Sequence, residues 1–175
     1  MELTTPRRGL IVSGGLPFSS AGVDVLHIDL VCDQIEPTLQ LVDNIRQDTE
    51  LPIDLHMIKG CQTISADVWH RHGVDLISRD WSAALGLDDF KSLRQFGLLC
   101  GVVFGRWSEV LEEELLQAWP WIDMVTVTSS DPCYERALAW LIQHRGQHNH
   151  RPLVALKGRL DILNVDIAMA DATSS

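Results

Sequence analysis

The sequence predicts an α/β protein built on a parallel sheet, and three observations lead there. Short β-branched runs alternate with helical patterns along the whole chain, the pattern of parallel strands joined by crossover helices. A length of 175 residues with 46% hydrophobic content gives one globular domain, residues 1–175, with a core of useful size. No internal repeat or low-complexity stretch interrupts the alternation.

The elements follow in order. Residues 10–13 form the first apolar run, and residues 25–31 the second. In the second, Val25-Leu26-His27-Ile28-Asp29-Leu30 alternates, so His27 and Asp29 share one strand face. An amphipathic helix over 38–47 leads to a third strand over 52–58, where Ile53-Asp54-Leu55-His56 alternates in the same way. A helix over 63–71, a strand over 74–78, a helix over 87–96 and a strand over 98–104 continue the series. Ser108 precedes an acidic first turn and suits the N-cap of a helix over 108–119. After a strand over 122–128, Asp131-Pro132 suits an N-cap and first-turn proline opening a helix over 133–144. A seventh strand over 152–157 follows, and residues 170–175 are small and polar enough to fray.

Composition excludes several classes of partner. The formal charge is −10, and Glu109, Glu112, Glu113 and Glu114 cluster on one predicted helix, which argues against nucleic acid and anionic membranes. There is no apolar run of membrane length, and Arg7-Arg8 is followed by only four residues before Ser13-Gly14-Gly15, too few for a secretory leader. A cytoplasmic protein is expected. Cys32, Cys61, Cys100 and Cys133 lack paired zinc-ligand spacing and are expected to be small buried groups in a reducing compartment. The six tryptophans are expected to pack between helices and sheet. His70, His72, His144, His148 and His150 sit at predicted helix ends or in a loop and are expected to be solvated.

The strand carrying His27-Ile28-Asp29, then Pro37, an amphipathic helix and Leu51-Pro52-Ile53-Asp54-Leu55-His56, resembles the ribulose-phosphate 3-epimerase family. Weaker echoes follow at His72-Gly73-Val74-Asp75, Gly101-Val102-Val103-Phe104 and Ile122-Asp123-Met124-Val125, so the resemblance spans roughly residues 10 to 158. It implies a TIM-barrel-like parallel sheet, which typically needs about 250 residues. This chain is short for that. Residues 14–24 are few for the first helix, and after the seventh strand only residues 159–175 remain for a helix-strand-helix unit. An incomplete barrel of about seven strands is therefore expected, with either residues 163–169 as a shortened eighth strand or bare edges covered by a homo-oligomer or another partner.

The resemblance also implies a divalent metal ion held by two His and two Asp, and epimerisation at carbon 3 of a ketopentose phosphate with the two Asp as acid and base. By position His27, Asp29 and His56 match metal ligands, and Asp29 also matches one acid/base residue. Lys157 stands at the place of the second catalytic Asp; an ammonium cannot ligate a cation, so impaired activity is expected. Ser13, Met57, Ser129, Ser130 and Gly158 fall where the family binds its sugar phosphate, with the glycine-rich phosphate loop reduced to Ser129-Ser130-Asp131-Pro132. Three alternatives remain: histidines hydrogen-bonded to Asp29 or Asp54 without metal, an ion pair between Lys157 and Asp29, and a non-catalytic binding relative.

Overall fold

The structure, a computed structural model, describes residues 7–11, 25–30, 34–58, 65–81, 87–128, 132–147, 152–157 and 164–167. Seven strands lie side by side in chain order: β1 (Arg7–Ile11), β2 (Val25–Leu30), β3 (Ile53–Met57), β4 (Leu76–Asp80), β5 (Leu99–Phe104), β6 (Met124–Thr128) and β7 (Leu153–Lys157). Every neighbouring pair among them is parallel. The helices are α1 (Ile35–Asp48), α2 (Ala66–Arg71), α3 (Leu87–Gln95), α4 (Glu109–Ala118) and α5 (Tyr134–Gln147), with a 3₁₀ turn at Trp119–Trp121. Parallel strands in chain order, joined by right-handed crossovers, put the connecting helices on one face and curl the other into a barrel interior.

An eighth strand, β8 (Asn164–Ile167), pairs antiparallel with the outer edge of β1, Arg7 opposite Ile167 and Leu10 opposite Asn164. Only six positions, 158–163, separate it from β7. That is too few for the crossover a parallel strand needs, so the chain returns in the opposite direction. Segments of β8 also come within 8 Å of β7, Cα to Cα, which brings the two ends of the sheet together. The fold is thus TIM-barrel-like with a reduced last unit, as expected. Of the two alternatives for the last unit, the shortened eighth strand within residues 163–169 is the one found: β8 covers β1, which removes one reason to expect a covering partner.

Two cores flank the sheet. On the helix side, Leu26, Ile28, Leu30, Ile53, Leu55, Ile77, Val102, Phe104, Val125 and Val127 pack against Leu39, Val42, Ile45, Trp69, Phe90, Leu93, Leu115 and Leu141. Burial of each such side chain contributes on the order of 1.5–3 kcal/mol before entropy is counted. On the interior side a smaller cluster of Leu76, Met124 and Ala155, with the partly buried Val25 and Leu153, packs near the strand starts. Trp107 and Trp119 are buried, and Trp140 stacks on His144 with ring centroids 3.9 Å apart, so that imidazole is not simply solvated.

The rim where strands begin is tied by a repeated device. Arg46 of α1 donates to the carbonyls of Leu51 (2.6 Å) and Gly73 (2.7 Å) and pairs with Asp75, whose carboxylate accepts the Ile53 N–H at 2.8 Å. Gly73 has φ +93°, and a Cβ there would lie 2.8 Å from Arg46 Nε, so both conformation and space require glycine. Two strands on, Arg94 of α3 donates to Asp123 at 2.8 Å, and Asp123 accepts the Cys100 N–H at 2.9 Å.

Boundaries differ from the expectations where pairing overrides local preference. β1 starts at Arg7 because Arg7 and Arg8 pair with β8. β4 runs two residues past Ser78 because Arg79 and Asp80 pair with Val102 and Val103 of β5. α5 begins at Tyr134, the Cys133 carbonyl accepting its first bond from Ala137, so Pro132 lies in the preceding turn. Ser108 has the extended backbone of an N-cap but makes no side-chain capping bond. Among the cysteines, Cys100 is buried and Cys133 exposed, both free; the expected burial of Cys133 is corrected because it stands in the turn before α5. Cys32 and Cys61 lie outside the described residues.

Candidate metal centre at the barrel mouth

Strand alternation builds the site. Against the apolar helix-side series of β2 and β3, the intervening residues His27, Asp29, Asp54 and His56 face the interior, and register sets His27 beside Asp54 and Asp29 beside His56. On β4, Ser78 lies beside His56 and Asp80 ends the strand. These residues lie above the interior apolar cluster, at the end of the parallel sheet where its strands finish. That is the end at which such sheets present ligand sites.

A continuous hydrogen-bonded chain connects six side chains across three strands. Ser78 Oγ donates to Asp54 Oδ1 at 2.6 Å, and Asp54 Oδ2 lies 2.7 Å from His27 Nδ1. His27 Nε2 is 3.1 Å from Asp29 Oδ1, and the same oxygen is 2.8 Å from His56 Nδ1. His56 Nε2 is 3.1 Å from Asp80 Oδ1. The two imidazole rings stand 5.6 Å apart, inclined at 32°. His27, Asp54, His56 and Ser78 are buried, while the Asp29 and Asp80 side chains remain 24% and 31% exposed and open the site to the mouth. Room for Ser78 comes from β5: a Cβ on Gly101 would lie 2.2 Å from Ser78 Oγ.

The donor set fits a divalent cation. His27, Asp29 and His56 each offer a ligand atom, and these atoms lie within 4.8 Å of one another. Both nitrogens of each imidazole face a carboxylate oxygen. A neutral imidazole has one N–H to donate and a carboxylate only accepts, so each ring turns one lone pair towards carboxylate oxygen, a contact that an added proton or a cation makes favourable. Asp54 on His27 Nδ1 provides the outer carboxylate that orients metal-bound histidines, leaving Nε2 to face Asp29.

The structure thus brings together three of the residues expected at the site: His27, Asp29 and His56. Met57 is buried in the helix-side core, on the strand face opposite His56. Lys157 ends β7 opposite Thr128, but its side chain, like Ser13, Ser129, Ser130 and Gly158, lies outside the described residues. Asp80 and Ser78 escaped sequence reasoning. Their signal was the alternation Leu76-Ile77-Ser78-Arg79-Asp80, which continues the polar face one strand further.

Fold and site together define an incomplete TIM-barrel-like α/β protein with a His/Asp cluster at the C-terminal ends of its parallel strands. Residues 16–136, more than half of the chain, match the model of the ribulose-phosphate 3 epimerase family, and the chain belongs to that family. No curated protein is similar enough to count as a match.

Proposed function

We propose that this protein binds a divalent cation through His27, Asp29 and His56 and is an impaired epimerase for carbon 3 of a ketopentose phosphate. The observation that carries the reading is the convergence of two imidazoles and a carboxylate within 4.8 Å on the interior face. When bound, a divalent cation supplies Lewis-acid stabilisation of negative charge developing on the sugar oxygens. Asp29, in reach of both rings and open to the mouth, is the group suited to take the proton from one face of the sugar. His27 and His56 hold that carboxylate in place. Return of the proton from the other face falls, by family position, to Lys157, whose ammonium carries the wrong charge to assist a cation.

Calorimetric titration with Co²⁺ or Mn²⁺ tests the binding half. One equivalent should bind to the wild type and none to Asp29→Ala; a wild type that binds neither cation overturns it. Ribulose 5-phosphate turnover should fall about 10²–10⁴-fold below that of a family member with both acid/base groups. Lys157→Asp should tighten cation binding measurably, and an unchanged affinity would mean that β7 does not place residue 157 at the site.

A second reading, a metal-free binding member of the family, draws support from the same chain of contacts. Protonated imidazoles between Asp54, Asp29 and Asp80 would satisfy every nitrogen without a cation. The titration separates the two, since only the first reading predicts stoichiometric binding.

A further inference from the structure

We infer that Asp80 is a positioning residue for the cation centre, the counterpart on His56 of what Asp54 is on His27. This rests on the cation-binding reading above. His27 presents Nε2 to Asp29 while Asp54 holds Nδ1 at 2.7 Å; His56 presents Nδ1 to Asp29 while Asp80 holds Nε2 at 3.1 Å. The two rings are therefore arranged about one oxygen, Asp29 Oδ1, with an outer carboxylate behind each. An outer carboxylate fixes the tautomer and ring orientation of a ligating histidine and raises its basicity.

The two supports are built differently. Asp54 is 2% exposed and is itself held by Ser78, so His27 is anchored from the barrel interior. Asp80 ends β4, its side chain is 31% exposed, and it stands at the mouth where a ligand would enter. It reaches the site only because β4 continues past Ser78, with Asp80 opposite Val103 and the Trp81 N–H bonded to the Val103 carbonyl at 2.9 Å. Asp80 therefore sets the orientation of His56 from the solvent side.

The test is Co²⁺ binding to Asp80→Asn and Asp80→Ala, read by calorimetry and by the visible absorption of the bound ion, beside the thermal midpoint of the cation-free proteins. The expected result is affinity weakened about 10–100-fold in Asp80→Ala and less in Asp80→Asn, whose amide oxygen still accepts from Nε2. The absorption pattern of the loaded variants should match the wild type, because the ligand set is unchanged, and the cation-free midpoints should stay close to it. Equal affinity in all three proteins overturns the inference while leaving the cation-binding reading intact. A changed absorption pattern overturns it too, since it would make Asp80 a direct ligand. A wild type that binds no Co²⁺ sinks the underlying reading instead.

Discussion

Carboxylates bridge neighbouring strands at both ends of the barrel, but their partners differ. At the rim where strands begin, Asp75 and Asp123 accept from the backbone N–H groups of Ile53 and Cys100 and pair with Arg46 and Arg94. Guanidinium is always charged and only donates, so this end is complete within the chain. At the mouth, Asp29 and Asp80 share His56, and Asp29 and Asp54 share His27, with both nitrogens of each ring facing carboxylate oxygen. Among the contacts described there, carboxylates outnumber imidazoles three to two, so that end is the acidic one. On the reading proposed above, the same residue type serves stability at one end and ligand chemistry at the other, the division expected of α/β barrels.

The largest effect should come from breaking the stable end. Arg46→Ala removes donors to the carbonyls of Leu51 and Gly73 and the partner of Asp75. A loss of about 2–4 kcal/mol in denaturant unfolding is expected, with cation affinity of the remaining folded protein unchanged. A parallel fall in cation affinity would show that the two ends are coupled and break the comparison.

A smaller effect sits on the same rim. Burial of the Cys100 thiol, helped by the Asp123 carboxylate, pushes its pKa from 9.0 up to about 11. The unfolded chain then loses this proton before the folded one. The contribution to stability is therefore fully present below pH 9 and disappears as pH rises through about 11. Wild type should lose on the order of 1–2 kcal/mol relative to Cys100→Ala over that interval. Parallel stability curves for the two proteins would show that the thiol is not held in the core.

Most of the mouth was legible in the sequence because strand alternation is a strict period of two: His27 and Asp29, and Asp54 and His56, had to share a face wherever those strands formed. The order of strands followed from the alternation of elements. Asp80 was not legible, since aspartate is a poor strand former, and only pairing with β5 carries β4 far enough to present it. The eighth strand was legible as one of two alternatives over residues 163–169, but its antiparallel direction was not, since that depends on pairing with residues 7–10, far apart in sequence and unmarked by any motif. The Arg46 and Arg94 ties share this character: each joins a helix to a turn 29 residues away, and nothing local distinguishes those arginines from solvated ones.

The smallest expected change in stability is the one that sharpens the comparison most. Asp29→Asn in the cation-free protein replaces a carboxylate flanked by two imidazoles with an amide of nearly the same shape. Its NH₂, placed where Oδ1 faces both rings, can donate one hydrogen to a lone pair on each, a match that carboxylate cannot make to a neutral imidazole. The lost charge–imidazole attraction and the gained donor oppose each other, so the change should stay within about 0.5 kcal/mol in denaturant unfolding. Cation binding should nonetheless vanish, because the anionic oxygen central to the cluster is gone. A stability loss as large as that of Arg46→Ala would place the mouth among the elements that hold the barrel together.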